Sequence, residues 1–298
     1  MTLTPVTQAD LFSNRTSRNT APPFHLQLLK WIGNKQRFAH EIIAYFPAEY
    51  RRYHEPFLGS GAVLGTLAPK DALASDTLPP LIGIWQMLAT HPDRLLKSYE
   101  RRWQAFQRAP RKTYEWIKAR FNKKPNPMDL LFLSRACYGG VIRFRRDGFM
   151  STPLGVHAPI APAAMAKRIE RWCERTKHAT FRCCDFEATI AEAQAGDVVY
   201  CDPPYHHTQS ILYGAQDFSL ERLLKVIGEA KQRGVRVALS LDGSKKSGEL
   251  ICHLPIPPGL FERTVFVNCG GSMLKRFQVA GADVSSDVVA DRLLLTWA

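Results

Sequence analysis

The segment Asp202-Pro203-Pro204-Tyr205 contains the residues best suited to chemistry in this 298-residue sequence. It follows the apolar run 198–201, which is typical of a buried strand. Two consecutive prolines hold the backbone extended and lack N–H groups, so the carbonyl of Pro203 can accept a hydrogen bond from outside the turn. That carbonyl and the Asp202 carboxylate suit a flat –NH2 group, and the Tyr205 ring can stack on the ring that carries it. The segment predicts a site that grips an exocyclic amine, with Asp202, Pro203 and Tyr205 as catalytic residues.

A glycine segment, "EPFLGSGAVLG" over residues 55–65, predicts a second part of the site. A strand that runs into Gly59-Ser60-Gly61 allows a tight turn and close approach of a ligand to the backbone. Asp76 ends the next predicted strand, where an acid binds ribose hydroxyls in doubly wound folds. The pattern favours an adenosine-type ligand, although a purely structural turn with a helix cap has the same glycine spacing.

The elements that must position these residues alternate between strand and helix at both ends of the chain, which predicts an α/β doubly wound sheet. Ligands bind at the carboxyl ends of the strands in such sheets. The middle of the chain is helical by its periodicity, so an inserted module is expected, and residues 268–290 are predicted to form a mobile loop. The predicted divisions are a flexible tail over 1–23, catalytic parts over 24–93 and 181–298, and the inserted module over 94–180.

Charge is concentrated in the middle of the chain. The formal net charge is +13, and residues 94–182 contain 21 Lys and Arg against 6 Asp and Glu, so the remainder is slightly acidic. A basic segment on a nearly neutral body favours a polyanionic partner, nucleic acid above all, over a merely solvated basic face. Aromatic residues interleaved with the charges support this interpretation: Trp103, Phe106, Tyr114, Trp116 and Phe121.

Several classes of protein are not expected. The sequence contains no apolar stretch of membrane-spanning length and no signal-peptide pattern, which predicts a soluble intracellular protein without membrane association. Its seven cysteines form no C-x-x-C pair and are interpreted as small buried side chains. His206 and His207 have no third ligand nearby, so loop or phosphate contact is expected and no metal site is predicted.

Five motifs in order resemble one enzyme family. The run 202–205 matches the [DNS]-P-P-[YFW] signature of amino-group methyltransferases, and the glycine segment resembles their S-adenosylmethionine loop. "LLKWIGNK" (28–35), "LASD" (73–76) and "CYGGVIRF…GFMSTPLG" (137–155) resemble segments of the Dam-like DNA adenine-N6 methyltransferases, D12 class, α subgroup. The resemblance covers nearly the whole chain after residue 24. It implies a Rossmann-like S-adenosylmethionine-dependent methyltransferase sheet with an inserted, mostly helical DNA-recognition domain.

The resemblance also implies a reaction and residue roles. A methyl group would pass from S-adenosylmethionine directly to the N6 amine of an adenine flipped out of a specific duplex DNA sequence, without a metal or a covalent enzyme intermediate. Asp202 would lie between cofactor and base, and Tyr205 would stack on the base. Cofactor-binding residues implied by the resemblance are Trp31, Lys35, Gly59, Gly61, Asp76, Asp185, Phe186 and Asp202.

DNA-binding residues are implied within the inserted module. Arg143 falls where the family uses an arginine to read guanine, a base that suits bidentate arginine. Tyr138 would wedge into the base stack, and Arg145 and Arg146 would contact phosphates.

The sequence departs from the GATC-methylating members at two places. Gly139 replaces an asparagine, and residues 150–152 replace a Phe-Asn-aliphatic run, so the methylated sequence stays open between GATC and another site. Methylation of RNA or of a protein amide uses similar proline motifs and remains an alternative. An inactive DNA-binding relative is a further alternative, although the intact run 202–205 argues against it.

The N-terminal tail contains a separate motif. "QADLF", Gln8–Phe12, resembles the pentapeptide by which bacterial replication proteins dock on the sliding clamp, and it lies in a segment predicted to be flexible. It suggests the clamp as a second partner and a cytoplasmic protein of bacterial or phage origin.

Overall fold

A seven-stranded sheet forms the centre of the protein. The structure, a computed structural model, describes residues 19–145, 147–204, 218–242, 244–245, 250–251, 256–271 and 288–298. The sheet strands are β1 (Tyr53–Glu55), β2 (Ala72–Asp76), β3 (Ala179–Cys183), β4 (Val198–Cys201), β5 (Arg236–Asp242), β8 (Arg263–Gly271) and β9 (Val288–Leu295). Two short strands, β6 (Ser244–Lys245) and β7 (Leu250–Ile251), pair with each other.

The strand order β3-β2-β1-β4-β5-β9-β8 confirms the doubly wound α/β prediction. Strands β1 to β5 run parallel, whereas β9 lies antiparallel between β5 and β8. From β1 the chain winds outward to β3, and from β4 it winds the other way to β5. The switch between the two directions lies between β1 and β4, and ligands bind beyond the carboxyl ends of the strands at such a point.

Nine helices surround the sheet in the described residues: α1 (Ala39–Ile43), α2 (Ala62–Leu67), α3 (Pro79–Thr90), α4 (Pro92–Arg108), α5 (Pro110–Lys123), α6 (Pro127–Ala136), α7 (Pro162–Thr176), α8 (Phe186–Ala191) and α9 (Leu220–Gln232). Proline begins each helix from α3 to α7, because its missing N–H costs nothing in the first turn and its φ is already helical. The predicted helical stretch therefore divides at Pro110 and Pro127. Within the described parts of the chain, no helix combines the length and apolar character needed to cross a bilayer.

The inserted helices pack on α3 and α2, and α3 in turn packs on β2 and β3. Helix α3 contacts α6, α4 and α7, and α2 contacts α7. Gly65 permits the last of these contacts, because a Cβ there would lie 2.4 Å from the Trp172 ring. Phe106, Tyr114 and Phe121 are buried. Three of the five aromatic residues that we associated with nucleic acid therefore form the core of the inserted helices, and this part of the sequence interpretation was wrong.

Residues 137–156 connect α6 to the segment before α7, and we call them the reading loop after the base-reading role expected of Arg143 from its sequence position. A 3-10 turn over Tyr138–Gly140 begins the loop, and bridges join Cys137 to Leu154 and Phe144 to Met150. The loop is therefore a small, hydrogen-bonded hairpin.

The prediction of a loop over residues 268–290 was too long at both ends. Strand β8 continues to Gly271, and β9 already begins at Val288. The residues between these strands lie outside the described part of the chain, as does most of the predicted tail.

Candidate functional site

A cleft opens at the carboxyl ends of β1, β2 and β4, at the switch in strand order. Its volume of about 290 Å³ is near the lower end of the range for small-molecule pockets. Gly61 does not line the cleft, and Tyr205 lies outside the described residues. The cleft walls include these residues predicted from the sequence: Trp31, Lys35, Gly59, Asp76, Asp185, Phe186, Asp202 and Pro203.

An ion pair joins two of the predicted residues inside the cleft. Asp202 directly follows β4, and its Oδ1 lies 2.9 Å from the Nζ atom of Lys35. The side chain of Lys35 is only 5% exposed and that of Asp202 17%, so the pair is largely shielded from water. Lys35 also donates to the carbonyl of Gly33 over 3.3 Å. The segment that contains Lys35 is thereby fixed against the loop after β4.

The glycine turn is held by a carboxylate at the end of β2. Gly59 donates its N–H to Oδ2 of Asp76 over 3.0 Å, and Leu78 donates to Oδ1 over 3.1 Å. Burial raises the pKa of the Asp76 carboxyl, and these N–H donors oppose the rise. Gly59 has φ +47°, and a Cβ there would lie 3.3 Å from the Trp31 ring. Gly61, at φ +64°, forms the start of α2 behind the cleft.

An aromatic cluster lines the part of the cleft next to α8. Asp185 caps α8 by accepting the N–H of Glu187 over 3.0 Å. The next residue, Phe186, stacks on Phe57 with the ring centroids 5.3 Å apart, and Phe218 meets it edge-on at 6.1 Å. These rings provide a flat apolar wall beside a carboxylate, an arrangement that suits a heterocycle with an exocyclic amine.

The residues predicted to bind DNA lie on the reading loop and do not line the cleft. Tyr138 is 45% exposed, and Arg143 and Arg145 are also exposed. Arg145 pairs with Asp147 over 3.1 Å. Arg146 lies outside the described residues. The described loop residues therefore offer an aromatic ring and two guanidinium groups to solvent.

Comparison with known proteins identifies the family. The sequence model described as D12 class N6 adenine-specific DNA methyltransferase matches residues 31–250, most of the chain. The chain belongs to this family. As a member it is an adenine-specific DNA methyltransferase, and the cleft and reading loop are features of that enzyme.

Individual relatives agree with the family assignment. The methyltransferase is 30% identical to a DNA adenine methylase of Vibrio cholerae serotype O1, over 71% of this chain and 79% of the relative. It is 28% identical to a type II methyltransferase of Lactococcus lactis subsp. cremoris, over 74% of this chain and 82% of the relative. A DNA N-6-adenine-methyltransferase of Escherichia phage P1 is 29% identical over 77% of this chain, but only 31% of that longer protein is covered.

Several cleft residues of the methyltransferase were missed by the sequence reasoning. Arg222, in the first turn of α9, donates to Glu187 over 2.8 Å and to Asp185 over 3.3 Å, and its guanidinium lies 5.2 Å from the Phe186 ring centroid. Nothing in its local sequence indicates this role, because its partners are brought together only by the fold. Glu55 could have been predicted as a cleft residue from the sequence. It ends β1, and ligands bind at the carboxyl ends of strands, which is the rule that identified Asp76.

Glu55 is a buried acid on the cleft wall. It is 2% exposed, and Tyr53 donates its hydroxyl to Oε2 over 2.7 Å. Burial raises the pKa of Glu55 to about 8, and the negative charge of Asp202 adds to the rise, whereas donors from Tyr53 and the Leu64 backbone oppose it. Glu55 is therefore mostly protonated at neutral pH in the folded protein.

The shifted pKa of Glu55 predicts a pH-dependent stability difference. The folded protein holds a proton that the unfolded chain releases near its ordinary pKa, so this contribution to stability is lost as pH rises from about 4.5 through about 8. Glu55→Gln should match the wild type near pH 4 and exceed its unfolding free energy at pH 8.5 by on the order of a few kcal/mol. Urea unfolding of both proteins across this pH range measures the difference in unfolding free energy. A difference that does not change with pH would contradict the prediction.

Proposed function

We propose that this DNA methyltransferase takes its methyl group from S-adenosylmethionine bound in the cleft and transfers it to N6 of an adenine flipped out of a specific duplex sequence. The observation that carries the proposal is the position of Asp202. It lies at the carboxyl end of β4, is paired with Lys35, and shares one cleft with Asp76 and the aromatic cluster. A methyl donor and an amine can therefore meet at this carboxylate.

The residues of the cleft fit S-adenosylmethionine. The two oxygens of Asp76 accept backbone N–H groups that include those of Gly59 and Leu78, and the carboxylate retains lone pairs suited to ribose hydroxyls. Glycine at 59 lets the turn lie close to the Trp31 ring, and both residues line the cleft. Asp185 and Phe186 would hold the adenine at one end, and Lys35 would lie near the methionine part. Gly61 contributes by shaping the turn rather than by contact.

The residues beside the donor prepare the amine. When bound, the cofactor would supply a methyl group whose bond to sulfur breaks as its bond to N6 forms. Asp202 and the carbonyl of Pro203 would each accept one hydrogen bond from the N6 amine, which favours a more tetrahedral nitrogen and frees its lone pair for attack. The proton that N6 loses after attack would pass to the Asp202 carboxylate or to water. Proline at 203 and 204 keeps this backbone extended and without competing N–H donors. Stacking of Tyr205 on the flipped base stays a prediction, since Tyr205 is not among the described residues.

DNA recognition is proposed for residues 94–180, the inserted module between the catalytic parts 24–93 and 181–298. The excess of positive charge over 94–182 suits the DNA backbone, and exposed Tyr138 is available to fill the space left by a flipped base.

Labelled methyl transfer tests the proposed function. Purified protein with methyl-labelled S-adenosylmethionine should label duplex DNA in preference to RNA or protein of the same preparation. Sequencing of modified bases in DNA from expressing cells should then show N6-methyladenine in one sequence context. Labelling of RNA or protein instead of DNA would favour the alternative substrates, and absence of transfer with retained DNA binding would favour an inactive relative.

Arg143 is proposed to read a guanine, and Arg145 to contact phosphate. Arg143→Ala should lower kcat/KM on the methylated sequence about 10- to 100-fold, because a bidentate guanine contact contributes about 1–3 kcal/mol of discrimination. The loss of kcat/KM caused by Arg143→Ala should be smaller on duplexes in which the base pair that Arg143 reads has been changed. Arg145→Ala is the matched control and should weaken binding to all sequences alike, with a reduced salt dependence. A uniform loss in Arg143→Ala would contradict base reading.

Docking of Gln8–Phe12 on a sliding clamp is a separate proposal, because these residues lie outside the described part of the chain and it rests on the motif alone. It would place the protein in the cytoplasm of a bacterial cell. A pull-down on immobilised bacterial clamp should retain the wild type and lose a variant that combines Gln8→Ala with Phe12→Ala. Equal retention of both proteins would remove the idea.

A further inference from the structure

We define residues 31–35 as the cofactor segment. A buried arginine of α6 donates hydrogen bonds to the backbone just before it. Arg135 donates from Nε to the carbonyl of Leu28 over 3.0 Å and from Nη2 to the carbonyl of Gln27. Leu28 lies three residues before Trp31. Arg135 thus fixes two successive carbonyls at the entrance to this segment.

Two side chains of α7 hold the same short stretch of backbone. Arg168 donates from Nε to the carbonyl of Gln27 over 3.1 Å, and Trp172 donates from Nε1 to the carbonyl of Leu26 over 2.6 Å. Three consecutive carbonyls are therefore bound by side chains of the inserted module.

The position of Arg135 is costly to maintain. The residue is only 6% exposed, and both of its described hydrogen bonds go to neutral carbonyls rather than to a carboxylate. Burial and the nearby charge of Arg168 lower the pKa of Arg135 to about 10. An apolar side chain would avoid this desolvation. What the guanidinium adds is a rigid fork that fixes both carbonyls at once.

Arg135 is also close in sequence to the reading loop. Arg135 lies in the last turn of α6, and the loop begins two residues later at Cys137. The loop also contacts Lys30, the residue just before the cofactor segment. A Cβ at Gly140 would lie 2.5 Å from Cδ of Lys30, so the two meet closely. A displacement of Tyr138 or Gly140 by DNA would therefore reach the backbone at residues 26–28 through contacts already made.

We propose that Arg135 is a positioning residue that couples the reading loop to the cofactor segment, so that duplex DNA and the cofactor strengthen each other's binding. The inference rests on the proposed function of the cleft and loop. The coupling is reciprocal by thermodynamic necessity, and a factor of about 5 to 150 is typical of such linkage.

A pair of lysine substitutions tests the coupling. Arg135→Lys keeps the charge but lacks the planar guanidinium whose N–H groups donate to both carbonyls in a fixed geometry. Arg175→Lys is the matched control, because Arg175 makes the same kind of fork to the carbonyls of Gly65 (2.6 Å) and Thr66 (2.8 Å) on α2. Calorimetry measures the Kd of S-adenosylhomocysteine with and without a duplex that carries the methylated sequence. DNA should tighten binding at least about five-fold in the wild type and in Arg175→Lys, but less than about two-fold in Arg135→Lys.

Three results would overturn the inference: no coupling in the wild type, a wild-type coupling factor in Arg135→Lys, or equal losses in both variants with equal falls in Tm. The last of these would mean general destabilisation. If Arg135→Lys does not fold, Arg168→Lys provides the test, and its coupling factor should fall between those of the wild type and a fully uncoupled protein. Failure of the wild type to bind S-adenosylhomocysteine at all would instead count against the proposed cofactor, and so is distinguishable.

Discussion

Replacement of Asp202 with alanine is expected to lower the rate of methyl transfer by at least about 1,000-fold, with little change in duplex binding. The carboxylate is at the end of β4, inside the cleft, whereas the reading loop that would hold DNA lies on the inserted module. Alanine removes one of the two proposed acceptors for the N6 protons and also the partner of Lys35. Single-turnover transfer and fluorescence anisotropy with labelled duplex measure the two quantities separately.

Two further carboxylate variants sharpen this prediction. Asp202→Asn retains one acceptor oxygen and should keep more activity than Asp202→Ala, with a loss of about 100-fold. Asp185→Asn, at the aromatic end of the cleft, should raise the KM for S-adenosylmethionine about 3- to 10-fold and leave kcat nearly unchanged. Transfer retained in Asp202→Ala, or a DNA affinity that falls as steeply as the rate, would refute the role assigned to Asp202.

The sequence predicted the positions of Asp76 and Asp202 because one physical rule covers both. Each acid follows an apolar strand, and the carboxyl ends of parallel strands meet at one edge of the sheet. The ion pair between Lys35 and Asp202 could not be predicted from local pattern, since the partners are distant in sequence. The antiparallel direction of β9 was also inaccessible, because hydrophobic pattern does not encode strand direction.

The basic middle of the chain shows how one pattern supports two interpretations. Aromatic and basic residues alternate there at helical spacing, which is typical of a nucleic-acid surface and equally of an amphipathic helix. Burial separates the two: Tyr114 and Phe121 face the core, whereas Trp116 on the same helix is 57% exposed, with the Arg120 guanidinium 4.2 Å from its ring centroid. The face of a helix depends on what packs against it, and the sequence of α5 alone does not contain that information.

Replacement of Lys35 with methionine is expected to lower methyl transfer about 100-fold or more. Methionine fills a similar volume without the ammonium that lies 2.9 Å from Asp202, and removal of one partner from a buried ion pair typically costs 3–5 kcal/mol. Part of this cost appears as a lower Tm and part as a carboxylate that is no longer held for the amine. Lys225→Met, an exposed lysine on α9, removes the same charge and should change neither quantity appreciably.

The same variant should also change which ligand the cleft prefers. S-adenosylmethionine carries a positive sulfonium and S-adenosylhomocysteine a neutral sulfur, so only the first competes with Lys35 for the field of Asp202. Lys35→Met should therefore shift the ratio of the two dissociation constants toward S-adenosylmethionine by about 3- to 10-fold, even though both bind more weakly. Calorimetry with each ligand measures the ratio. An unchanged ratio would show that the Lys35 charge does not act on the methyl-bearing sulfur, and the cofactor would then have to lie differently in the cleft from the way proposed.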